Sequence, residues 1–138
     1  MTNPTLEFEH ELARLCHGDS LSVQKSEAEW HFHIGSNLIV SGFSLWRLVG
    51  HDRLLVTGND DGQQFGLLEP VSGEREFNKL VSGAEICGVT LSEVTGDLAF
   101  LLSNGLTLEI LTFSSGYESW SISKDGEFFA AGASGGLV

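Results

Sequence analysis

His31 and His33 stand two residues apart in the stretch EWHFHI, Glu29 to Ile34. On a β-strand, residues with that spacing share a face, about 7 Å from one another. Two imidazoles so placed can share a metal ion if a neighbouring strand brings a third ligand. They can also form a contact patch that gains charge as the pH falls. No third ligand is marked: His51 and Asp52 fall on an expected turn, His10 and His17 on an expected helix. The alternation of Glu29, His31 and His33 with Trp30, Phe32 and Ile34 equally suits the solvent face of a half-buried strand.

Other chemical signals are incomplete. Asn59-Asp60-Asp61-Gly62 resembles a fragment of a calcium loop but lacks the remaining ligands and the closing Glu. A hairpin turn explains the same four residues. The run Gly132 to Gly136 lacks the Lys and following Ser/Thr of a phosphate loop and reads as a chain end or edge strand. No G-x-S-x-G nucleophile pattern occurs. Cys16 and Cys87 have neither C-x-x-C spacing nor a signposted His partner, and both lie among apolar residues, where a buried free thiol is expected, with a single disulfide between them as the alternative. The expectation is a chain without cofactor that is not an enzyme.

The charge balance points to partners instead. Seven Lys and Arg stand against 19 Asp and Glu, a formal charge of −12 over 138 residues. Such a chain repels nucleic-acid phosphate and anionic membrane surfaces and attracts basic proteins. No apolar run approaches the length of about 20 residues that spans a bilayer, and the N-terminus lacks the basic and apolar regions of a signal peptide. A cytoplasmic protein with reduced thiols is expected.

Local patterns then give the elements. Asn3-Pro4 reads as a helix start, and Phe8, Leu12, Leu15 and Cys16 make one helical face ended by Gly18. From Ser20 the period becomes two, with short strands at Glu29–Ile34, Leu38–Val40, Ser44–Val49 and Arg53–Gly58, and Gln63–Leu68 read as one more. Ser72 caps a short helix, Gly73 to Val81. Cys87, Val89 and Leu91 alternate, as do Leu98, Phe100 and Leu102, and Asn104-Gly105 turns the chain into Leu106, Leu108 and Ile110. Glu118, Trp120 and Ile122 share a parity, and Lys124-Asp125-Gly126 turns into a last strand. The expected fold is α+β, mostly antiparallel β, in one domain over 1–138. It comprises an N-terminal helix (1–18), a first β-meander (20–69), a short central helix (72–82) and a second β-meander (84–132).

An internal echo runs through this plan. FHIGSNLIV (Phe32 to Val40) resembles FLLSNGLTL (Phe100 to Leu108), and each is followed by a Trp-containing strand, SLWRLV and ESWSIS. It reads either as a duplicated meander or as the likeness that any two hairpins share.

The run VTGDLAFLLSNGLTLEILTFSSGYESWSISKDGEFFAAGASGG, about the last third of the chain, resembles a small bacterial family known only as a domain of unknown function. The resemblance rests on Gly96-Asp97-Leu98, Asn104-Gly105, Tyr117-Glu118-Ser119-Trp120 and the glycines from Gly132 to Gly136. Ser134 stands where that pattern often has Pro. The resemblance implies a compact, mostly β bacterial protein and brings no catalytic residues. In size, acidity and lack of motifs the chain is also similar to immunity proteins of bacterial toxin systems, which bind and block a cognate toxin, often a basic nuclease. That similarity implies an inhibitor that occludes a basic toxin domain, with Asp60, Asp61, Trp46, Tyr117 and Glu118 as candidate contacts. A small-ligand or metal-binding β domain centred on His31 and His33 is the alternative, and a self-associating accessory domain a third.

Overall fold

A computed structural model describes residues 3–133 and 136–137 of the chain. The first helix, α1 (Pro4–Cys16), starts where expected: Asn3 is extended and its side chain accepts from the Leu6 N–H at 3.1 Å, with Pro4 in the first turn. Phe8, Leu12 and Cys16 are its buried face. The central helix, α2 (Gly73–Val81), is capped by the Ser72 hydroxyl and buries Phe77 and Val81.

Eleven strands are described between and after the helices: β1 (Leu21–Ser26), β2 (Glu29–Ile34), β3 (Leu38–Gly42), β4 (Trp46–Val49), β5 (Leu54–Thr57), β6 (Ile86–Leu91), β7 (Leu98–Leu102), β8 (Thr107–Ile110), β9 (Trp120–Lys124), β10 (Glu127–Ala133) and β11 (Gly136–Leu137). All pair antiparallel, as the missing crossover helices predict. They form two sheets, β1-β2-β3-β9-β10-β11 and β5-β4-β8-β7-β6. Each expected meander is therefore divided. Strands β1 to β3 belong to one sheet and β4 and β5 to the other; β6 to β8 lie in the second sheet and β9 and β10 in the first.

The division is reciprocal. Each half of the chain is a helix, three strands in one sheet and at least two in the other: β4 and β5 in the first half, β9 and β10 with the short β11 in the second. The third strand of each half pairs with the fourth strand of its counterpart: β3 with β9, placing Gly42 opposite Trp120, and β8 with β4, placing Ile110 opposite Trp46. The helices are exchanged too, α1 lying along β6 and α2 along β1. The echo between Phe32–Val40 and Phe100–Leu108 thus falls on equivalent hairpins, β2–β3 and β7–β8, and Trp46 and Trp120 begin equivalent strands. The sequence arrangement is that of a tandem structural repeat whose halves interlock.

The core lies between the sheets. Trp30, Phe32, Ile34 and Val40 from one face meet Trp46, Leu48, Phe100 and Leu108 from the other, all essentially fully buried. Trp46 is its hub: its ring meets Trp30 at 4.9 Å, Phe32 at 5.5 Å and Phe77 at 5.5 Å, each edge to face.

Two expectations are corrected. Gln63–Leu68 forms no strand, because Phe65 and Gly66 both take positive φ and Gln64 folds its amide onto the Leu67 carbonyl. Cys87 is exposed: the register of β6 on β7 shifts between Ile86 and Gly88, so Ile86 turns inward and Cys87 outward. Within the Gly132–Gly136 run, Ser134 and Gly135 lie outside the described residues, while Gly132 packs its bare Cα against the Trp120 ring.

Candidate functional site

The two halves cross at one end of the molecule, where β3 passes into β4 through Phe43–Leu45 and β8 passes into β9 through Leu111–Ser119. The crossings are tied together by the Leu111 N–H, which donates to the Leu45 carbonyl at 2.9 Å. Phe43 and Phe113, each just beyond the third strand of its repeat, meet edge to face at 5.8 Å and stay half exposed. Tyr117 projects from the longer crossing and is 81 % exposed.

Beside these rings is an open cleft of about 240 Å³, lined by Glu29, Ser41, Phe43, Glu118, Ser119 and Trp120. Glu29 opens β2 and Glu118 precedes β9; the register brings them together because Trp30 and Trp120 both stand opposite Gly42 on β3. Among the described residues, none that lines the cleft is basic. Carboxylates beside an aromatic ring suit a cationic side chain, which gains Coulomb attraction and contact with the ring face.

The sequence candidates separate in the fold. Tyr117 and Glu118 lie at this end, exposed. Trp46, proposed as a contact, is 1 % exposed and belongs to the core, since its strand lies between β5 and β8 with the ring turned inward. Asp61 is a structural residue: its carboxylate accepts from the Gly73 N–H at 2.8 Å and pairs with Lys25 at 2.7 Å, fixing the start of α2 against β1. Partial burial pushes its carboxyl up, but the Lys25 ammonium and the Gly73 N–H outweigh this and hold it below the ordinary carboxylate value. Asp60 is half-buried and faces a different groove, between β5 and α2.

His31 and His33 share the outer face of β2, and His31 Nδ1 lies 2.8 Å from the Ser41 hydroxyl on β3. Among the described residues, no three His, Cys, Asp or Glu side chains gather as a metal site. The His31–Ser41 pair has the separation of a base and a nucleophile, but no carboxylate among the described residues hydrogen-bonds the imidazole to orient it. Sequence reading missed Phe43, Phe113 and Glu29. The only available signal was an apolar ring placed just after each echoing hairpin.

The fold and cleft define a class: an antiparallel two-sheet sandwich of interlocked repeats with an acidic, aromatic cleft at their crossing. No family model matches the chain, and neither a curated protein nor a solved structure matches it. The Tyr-Glu-x-Trp run has a local physical account. Tyr117 and Glu118 face solvent, the buried Ser119 hydroxyl accepts from the Phe113 N–H at 3.1 Å, and Trp120 Nε1 donates to the Gly96 carbonyl at 2.8 Å.

No helix among the described residues is long and apolar enough to cross a membrane.

Proposed function

We propose that the chain is a binding protein that occludes a basic partner at the crossing of its repeats, in the manner of an immunity protein on a basic toxin domain. The observation that carries this reading is the cleft itself: Glu29 and Glu118 beside Phe43, with the exposed Tyr117 on the same crossing as Glu118 and no basic residue in the lining among the described residues. A net charge of −12 would speed encounter with such a partner, and the buried rings of the interface would set residence time. The same charge disfavours nucleic acid as the partner. Because the reading needs only recognition, it requires no cofactor and no catalytic group.

The test uses the basic polypeptide that co-purifies with the full chain from its native host, purified again and titrated against wild type, Tyr117→Ala and Glu118→Lys. Both substitutions are expected to weaken binding at least tenfold without lowering stability, and affinity is expected to fall steeply from low to moderate salt. Unchanged affinity in both variants would remove the reading.

A further inference from the structure

The exchange of helices closes two of the four long sheet margins and leaves a third bare. On β1, Asn78 of α2 occupies both backbone groups of Val23 and Glu74 accepts from the Lys25 N–H at 2.8 Å. On β6, Glu9 of α1 accepts from the Leu91 N–H. On β10, β11 adds a short strand. Strand β5 has β4 on one side only, and its backbone makes no hydrogen bond outside that ladder among the described residues.

Along β5 runs a groove of about 450 Å³, between the strand, the segment Phe65–Val71 and the first turns of α2. Leu55, Val56, Phe65 and Leu67 supply apolar lining. Asp60, Glu69 and Glu76 supply three carboxylates against one cation, Arg75, and none of the three makes an ion pair among the described residues. Beside it Leu68 is fully exposed and Phe65 and Leu67 are more than half exposed, an apolar cluster that no described element covers.

From the open strand and the acidic, apolar groove we propose that β5 receives an extended segment of the basic partner as an added strand, with alternating apolar and cationic side chains. Strand addition supplies main-chain hydrogen bonds, and pockets beside the strand select alternate side chains. An extended segment presents one face of side chains to Leu55, Val56, Phe65 and Leu67, while its Lys or Arg heads reach Asp60, Glu69 and Glu76. The three carboxylates discriminate against an acidic segment of the same shape. This inference rests on the basic-partner reading but uses a surface separate from the cleft of Glu29, Phe43 and Glu118 and from the exposed Tyr117 beside it.

The probe is a fluorescent synthetic peptide of alternating Leu and Arg, followed by anisotropy against the full chain. Three controls accompany it: the Leu/Glu peptide, the Leu/Arg peptide N-methylated at alternate amides, and the scrambled peptide with its arginines in one block. The expected result is binding of the alternating Leu/Arg peptide, at least tenfold weaker for every control peptide. The triple variant D60N/E69Q/E76Q and Leu67→Ser should each weaken binding at least fivefold, and Tyr117→Ala should leave it unchanged. Equal binding of the N-methylated peptide would overturn strand addition, and equal binding of the Leu/Glu peptide or no binding at all would overturn the site. Loss of the native complex on Tyr117→Ala but not in the triple variant would keep the cleft reading and remove this one.

Discussion

Asn78 on α2 grips Val23 on β1 by both of its backbone groups, accepting from the N–H at 2.7 Å and donating to the carbonyl at 2.9 Å. Its counterpart in the other repeat is Glu9 on α1, whose carboxylate accepts from the Leu91 N–H on β6 at 2.8 Å. A helix side chain thus stands where the next strand would pair. This both satisfies edge groups and denies them to another chain. Asn78→Ala removes two part-buried hydrogen bonds and should lower stability by about 1–3 kcal/mol. Urea unfolding measures this, and sedimentation should show added self-association through β1. Wild-type stability in the variant would mean that water replaces Asn78 without loss.

The two equivalent tryptophans differ in one bond. Trp120 Nε1 donates to the Gly96 carbonyl, whereas the buried Trp46 Nε1 has no partner among the described residues. The cause is loop length: Ser92–Asp97 between β6 and β7 reaches over Trp120, while β1 and β2 are joined by the tight turn Glu27-Ala28. Replacing either ring by Phe leaves a similar void, but Trp120→Phe also strands the Gly96 carbonyl. It should cost about 1–3 kcal/mol more than Trp46→Phe. Equal losses in thermal unfolding would contradict the distinction.

Each of these tryptophans leans on a glycine the same distance further along the chain. A Cβ at Gly58 would stand 2.5 Å from Trp46 Nε1, and one at Gly132 would stand 2.5 Å from Trp120 Nε1. Neither ring can retreat, since both are buried. Gly58→Ala and Gly132→Ala should therefore each destabilise by at least about 1–3 kcal/mol, despite favourable strand or helix propensity for Ala. Alanine tolerated at either site in a denaturation assay would show that the core there is looser than the contact implies.

Asp61 makes stability depend on acid pH. Its folded-state value lies below the ordinary carboxylate value of about 3.9 expected when unfolded. Its contribution is therefore complete above that unfolded value and is lost as pH falls through the lower folded one. Asp61→Asn should lower stability at neutral pH and flatten the pH dependence at the acid end. Unfolding curves for both proteins across that range decide it; parallel profiles would exclude the residue as the source.

The two thiols should differ sharply. Cys16 is fully buried, and burial, with the Asp19 charge adding to it, pushes its thiol up to about 11. Cys87 faces solvent, its S–H donating to the Leu101 carbonyl at 3.4 Å. A disulfide reagent at neutral pH should label one thiol promptly and the second only on unfolding. Two prompt equivalents would place Cys16 at the surface.

What the sequence determined was local. Asn3-Pro4 and Ser72 set the helix starts, because a cap needs only residues three apart. Trp30, Phe32 and Ile34 declared their buried face, because a strand alternates whatever it pairs with. Asp125-Gly126 made its turn with both residues at positive φ. Period-two alternation, however, says which face is buried and not which strand lies alongside. It left the exchange of β4 and β9 between sheets unread and let Trp46, a core residue, stand among the candidate contacts. One shifted register turned Cys87 outward against its own pattern. Only the tertiary structure brought Glu29 to Glu118 across a shared Gly42, and only the placement of the two helices decided that β1 and β6 are closed while β5 is open. Those are relations between residues far apart in the chain, fixed by pairing and packing energies that no short stretch contains.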